Sequence, residues 1–201
     1  PAQTWAKTLA ITRRLQPPHI STYALTYVPG TPIGDDPHNR CDDDQVLDLY
    51  QEAETVLADY DHYEISNFAR PGFHCRHNLL YWHNEQHAGF GPGAFSLVGT
   101  TRAANPADLN TWLAHPGRKA EAIPLTKTEL QVETLIQHLR LREGIDLHYY
   151  EKRFGEEVKK GFGAVIDLLM DRGLLCLREG RLCPTRQGFY LNDEIGLALV
   201  G

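Results

Sequence analysis

The chain has 201 residues, and 42% of them are hydrophobic, enough to bury one large core or one core with a small companion. Twenty Lys and Arg against 26 Asp and Glu give a formal charge of -6, which argues against a nucleic acid held by bulk electrostatics. No run of about 18 apolar residues occurs, the start lacks the order of a signal peptide, and Cys41, Cys75, Cys176 and Cys183 form no C-x-x-C pair, so a cytoplasmic protein without a transmembrane segment is expected.

The chain opens without Met in helical character, and it reads as a piece of something longer. Residues 4–15 predict a helix that Pro17 and Pro18 stop. The β-branched and aromatic residues from Ile20 to Tyr27 then predict a strand. Residues 28–44, rich in Pro, Gly and Asp, predict a loop, with Asp44 as N-cap of the next helix. Val46, Leu49, Tyr50, Ala53, Val56 and Leu57 recur at helical spacing and predict an amphipathic helix over 45–59. The stretch "HYEISNFA" reads as one further strand, and strand, helix, strand is the pattern of a parallel α/β sheet.

Residues 70–104 have many Gly, Pro, His and Asn and little periodicity, and predict an irregular segment with short strands, the kind that carries function. Asn105 as N-cap with Pro106 behind it predicts a helix start. After Pro124 the texture turns helical. Thr126 and Glu129 make a capping-box pattern ahead of a helix to about Arg142. A second helix is expected from Asp146 to Phe154 with Gly155 behind it, and a third over 157–172 ending at Gly173. "LLCLREGRLCPT" predicts a hairpin around Glu179-Gly180, and a final helix closes the chain. Three helices and a hairpin outline a winged helix. A DNA-binding winged-helix module is nonetheless disfavoured, because residues 126–201 hold 11 Lys and Arg against 12 Asp and Glu.

Five of the ten histidines fall between His62 and His87. On a helix, His83 and His87 would share a face, and Cys75 or His74 would supply a third zinc ligand, but "HNEQH" puts Asn84 where the metalloprotease pattern needs Glu, so solvated histidines are the better account. The five carboxylates of "DDPHNRCDDD" lack the spacing of a calcium loop. In "GFGPGA", Gly89, Gly91 and Gly93 let backbone approach a ligand closely, although Ala94 breaks the dinucleotide pattern. His77 offers an imidazole of the kind that ligates haem iron, Tyr81 and Trp82 are flat enough to pack on a macrocycle, and Asn78 is placed to fix the local backbone or the imidazole. From the residues alone a structural role for this segment stays equally open.

Read in order, "HISTYALTYVPGTP", "YEISNFARPGFHCRHNLLYW" and "GFGPGAFS" resemble the second half of the oxygen-independent coproporphyrinogen III oxidase-like radical SAM proteins, on their haem-chaperone branch. The resemblance covers nearly the whole chain. It implies an α/β fold: the C-terminal strands of a partial (β/α) barrel in residues 1–104, a connecting helix and linker in 105–125, and a mainly helical, winged-helix-like domain in 126–201. It implies S-adenosylmethionine and a [4Fe-4S] cluster in the intact protein, with Ala24 and its neighbour Tyr23, together with Gly91 and Gly93, as cofactor-contacting positions. The "HNxxYW" pattern, here His77, Asn78, Tyr81 and Trp82, resembles the branch's haem-binding motif, with His77 as ligand to the haem iron. Expected partners are haem and a haem-acceptor protein, with a homodimer allowed. The alternative within the family is oxidative decarboxylation of coproporphyrinogen III.

This chain departs from the family in lacking C-x-x-x-C-x-x-C, so it carries no ligands for the cluster and is expected to be catalytically inactive by itself. Phe95 stands where the family commonly has His, and Asp61 where a glycine-tyrosine turn is usual.

Overall fold

The computed structural model describes residues 2–36 and 40–201, and the chain divides into two compact units, Pro1–Cys75 and Arg76–Gly201. The expected loop at 28–44 includes residues 37–39, which lie outside the described residues.

In the first unit, α1 (Ala2–Leu15) buries Leu9 and ends where Gln16 turns to φ 50° ahead of the two prolines. Its indole at Trp5 donates to Leu49 O at 2.8 Å, which ties it to α2 (Asp43–Val56). The cap of α2 is Asp42, two residues earlier than expected. Its carboxylate accepts from Gln45 N and the Gln45 side chain returns to the cap backbone, a closed box that Asp44 has no glutamine to form.

The strand expected over 20–27 is shorter: β1 spans His19–Ser21 and the chain beyond it is irregular. "HYEISNFA" is two strands, β2 (Asp61–Glu64) and β3 (Asn67–Ala69), joined at Ile65-Ser66. Glu64 Oε1 accepts from Ser66 N and from the Asn67 amide, which folds the chain back on itself. The sheet order is β1-β3-β2 with both pairings antiparallel. The expected direct parallel pairing is therefore corrected: β1 and β2 run the same way, with β3 inserted between them. Beneath this sheet lie Leu57, Tyr60 and Phe68, with Ile20 against them. The imidazole of His62 stacks on Phe68 at 3.9 Å.

The second unit begins with α3 (Arg76–Trp82), inside the stretch expected to be irregular. An antiparallel sheet follows in the order β4-β5-β6, from β4 (Phe95–Val98), β5 (Thr101–Ala104) and β6 (Glu121–Pro124). Between β5 and β6, α4 (Leu109–Ala114) is capped by Asp108 and not by Asn105. Pro106 therefore precedes the helix, and the Asn105 side chain is used elsewhere.

From Thr126 onward the local signals are met. Thr126 and Glu129 close a capping box on α5 (Lys127–His138), which stops four residues short of the expected Arg142. Asp146 caps α6 (Leu147–Phe154), and Gly155 ends it at φ 73°. Next come α7 (Val158–Asp171) and the hairpin of β8 (Leu175–Arg178) and β9 (Arg181–Pro184), turned by Glu179 and Gly180 at positive φ. A short β7 (Ile145–Asp146) pairs with β9 as a third strand. The expected last helix is two, α8 (Arg186–Tyr190) and α9 (Asn192–Val200). Leu135, Leu139, Ile145, Tyr150, Ile166 and Leu169 are among the buried side chains of one apolar core here.

Candidate functional site

Helical spacing puts His77 and Tyr81 on one face of α3, and their rings meet edge to face with centroids 5.0 Å apart. Tyr81 also meets a second imidazole, His87, at 4.7 Å. His87 is held by backbone bonds of 2.9 Å in both directions to Leu97 of β4, and its Nδ1–H donates to Glu85 O. A carbonyl only accepts, so Nδ1 carries the proton and Nε2 keeps a lone pair in the neutral ring. The His77 ring is exposed and Tyr81 is 37% exposed. Together they form a ring shelf with an imidazole edge open to solvent.

Asn78 and Trp82, also four apart, occupy the adjoining face of α3 and are half-buried. The guanidinium of Arg140, two residues past the end of α5, lies over the Trp82 ring at 4.8 Å. Gly91 and Gly93 sit in the loop before β4 at φ 98° and 68°. Nothing lies within 4 Å of where a Cβ on Gly91 would stand, so this backbone is approachable from outside. The loop is held from within. Asn105, buried, donates from Nδ2 to Gly89 O at 3.2 Å and to Gly91 O at 2.8 Å, and its Oδ1 accepts from Lys119 at 2.7 Å. Replacing Asn105 with Ala leaves the three partners unmatched and is expected to cost about 1–3 kcal/mol. Thermal melts of the two chains check it, and an unchanged midpoint would mean that water replaces the amide without loss.

Tyr23 and Ala24 belong to the first unit, in the irregular chain after β1, and both are exposed, Tyr23 at 73%. The Asp61 carboxylate lies 2.8 Å from His74 Nε2, and Phe95 stands exposed at the start of β4. His83 and His87 share no helical face, because α3 ends at Trp82 and Asn84 turns to φ 50°. His83 pairs instead with Glu143 at 3.5 Å, and among the described residues no three His, Cys, Asp or Glu side chains are grouped to hold a metal.

Behind His83 lies His138 of α5, buried, with the two rings 5.3 Å apart. Burial pushes the His138 imidazole down to about 4, against the opposing pull of its hydrogen bond to Thr134 O. Glu143 is held below the ordinary carboxylate range by its hydrogen bond from His83. Two participants, Arg140 beside Trp82 and Asn105 beneath the glycine loop, were not assigned to the site from sequence. Neither has a local signal, since each works through a partner at least 14 residues away.

No helix among the described residues is long and apolar enough to cross a membrane. A solved structure of coproporphyrinogen III oxidase (HemN) from Escherichia coli, described as a radical SAM enzyme, superposes with a TM-score of 0.77 at 19% identity, over 98% of this chain and 51% of that one. The fold is therefore that of the coproporphyrinogen III oxidase class. Residues 125–191 match the HemN C-terminal domain. Heme chaperone HemW of Lactococcus lactis subsp. lactis (strain IL1403) is 30% identical over 90% of this chain and 50% of its own length, and that of Mycobacterium tuberculosis (strain CDC 1551 / Oshkosh) is 34% identical over 91% and 47%. Along most of its length the chain is similar to heme chaperone HemW proteins, on the fold seen in HemN. It spans about half the length of the curated relatives it matches.

Proposed function

We propose that the chain is part of a haem chaperone that binds haem through His77 and passes it to an acceptor protein in the cytoplasm. The observation that carries this reading is the exposed His77 imidazole, set edge to face with Tyr81 on one side of α3. Haem supplies an iron that accepts an axial nitrogen donor. On this chain, His77 donates that nitrogen, the Tyr81 ring fixes the tilt of the imidazole, and the exposure of the shelf leaves one side open for transfer to a second protein. Asn78 and Trp82 stabilise α3 from the adjoining face.

Residues 126–201, with their own core, form the separate C-terminal domain in this reading. Ala24 and its neighbour Tyr23 are proposed as backbone contacts to S-adenosylmethionine in the intact protein, and Gly91 and Gly93, separately, as backbone open to close approach by a ligand. The cluster does not fit the residues present: four unpaired cysteines at positions 41, 75, 176 and 183 lack the required spacing, and no step is assigned to it here.

Titration of the chain with haem, followed by absorbance, tests the reading. The expected result is a saturable Soret shift that His77→Ala loses. Equal titration of both chains would make α3 a structural segment and leave porphyrinogen decarboxylation as the family chemistry to examine.

A further inference from the structure

Two of the free cysteines stand directly opposite each other. In the hairpin of β8 and β9 the register pairs Cys176 with Cys183, between the pairs Leu175–Pro184 and Leu177–Leu182. A tight turn pins that register, with Glu179 and Gly180 at φ 50° and 76° as two-residue hairpin turns require. Strand alternation then divides the side chains: Leu175 and Leu182 go to the apolar core, and Cys176 and Cys183 share the opposite face with Arg178 and Arg181.

Residues opposed in an antiparallel ladder have Cα atoms about 4.5–5.5 Å apart, inside the span of about 4.4–6.8 Å that a disulfide bridges. Their Cβ atoms, also about 4.5–5.5 Å apart, stand roughly 1 Å wider than in a relaxed disulfide. A bond here is reachable but readily reduced. Cys183 is buried and donates its thiol to Glu143 O at 3.1 Å, whereas Cys176 is half-buried and is the sulfur that a small molecule meets first. Burial pushes the Cys183 thiol up, Arg178 pulls against it, and Cys176 adds to the push, so the two sulfurs lie within each other's field. In a reducing compartment both rest as thiols.

We propose that Cys176 and Cys183 form a redox-sensitive dithiol, which a small disulfide of the glutathione class converts to a cross-strand disulfide. Cys176, as thiolate, attacks one sulfur of the small disulfide, and the proton it lost ends on the thiol expelled. A mixed disulfide remains on Cys176. Cys183 then turns from Glu143 O, gives its proton to the departing sulfur and attacks Cys176 Sγ, which expels the second small thiol. Two protein thiols are oxidised and one small disulfide is reduced to two thiols. Closure leaves the Glu143 carbonyl with its bond from Arg181 Nε at 2.7 Å, on the residue whose carboxylate pairs with His83 just beyond α3.

The test exposes the folded chain to oxidised glutathione, alkylates the remaining thiols and digests with trypsin. Trypsin cuts at Arg178 and Arg181, between the two cysteines, so the bond shows as two peptides that separate only on reduction. The expected result is a 176–183 link in most of the wild-type chain, lost again in excess reduced glutathione. Cys183→Ser is expected to hold glutathione on Cys176, and Cys176→Ser to leave Cys183 without an adduct. If either variant fails to fold, the wild-type map decides by itself. The proposal is overturned if the folded wild type forms no 176–183 link, whether Cys176 stays free, keeps its adduct or joins Cys41 or Cys75. A link that forms only in urea overturns it equally.

Discussion

Gly144→Ala is expected to destabilise the second unit by at least about 3 kcal/mol, seen as a large fall in the urea midpoint. Gly144 sits at φ 62° in the turn that delivers β7 to the sheet, a region costly for a residue with a Cβ. Space decides the size of the effect. A Cβ there would stand 2.0 Å from Leu182 O and 2.7 Å from the Cys183 Cα, both backbone atoms of the central strand β9, which cannot swing aside as a side chain would. Relief requires β7 to withdraw from β9, which breaks the Ile145–Leu182 pairing and the bond of 3.0 Å from Arg181 to Gly144 O. Gly180→Ala is the control. Gly180 has φ 76° but open space around it, so its cost is expected to stay at about 1–2 kcal/mol. If the two variants unfold together, the close approach of the turn to β9 is not as described.

The second large effect is on the pH dependence of stability. His138 is neutral in the fold because burial disfavours its charged form, and the positive charges of His83 and Arg153 act in the same direction, while Thr134 O and Glu143 oppose them. Its folded value of about 4 lies below the ordinary 6.5 of a free imidazole. Between those values the unfolded chain binds a proton that the folded chain does not, so stability rises with pH across this window. The contribution is complete above pH 6.5 and is lost as pH falls toward 4, by about 3 kcal/mol. Urea unfolding between pH 4.5 and 7.5 is expected to show this slope, with His138→Gln flattening it. Glu143, whose value is lowered, contributes in a separate window: its share is present above the ordinary carboxylate value and disappears only below it. A slope unchanged in His138→Gln would assign the effect to other groups.

Legibility from sequence followed the range of each interaction. The capping box of Thr126 and Glu129, the left-handed Gly155 and the turn at Glu179-Gly180 are settled within four residues, and each was readable from residue type and spacing, whereas Asp146, expected as the first helical residue, is the cap. The reversal at Ile65-Ser66 was not. Tyr63, Ile65 and Phe68 favour strand and no Gly or Pro interrupts them, while the turn depends on Glu64 reaching Ser66 and Asn67. Asn105 has a good helix cap's side chain but spends it on carbonyls 14 and 16 residues earlier, leaving Asp108 to begin α4. The functional face divides the same way. His77 with Tyr81, and Asn78 with Trp82, are helical neighbours and follow from spacing once α3 is granted. The third ring at His87 and the Arg140 guanidinium come from β4 and α5 neighbourhoods that no local pattern announces.

The insertion of β3 between β1 and β2 also orders events during folding. The β2–β3 hairpin closes over a two-residue connection, so its ends meet at little entropic cost and on a fast timescale. In this sheet β1 is paired with β3 alone, through contacts such as His19 with Ala69, and the intervening chain includes the whole of α2. On loop-closure cost alone, the strand leading to Tyr23 and Ala24 is expected to be the last of the three to join the sheet.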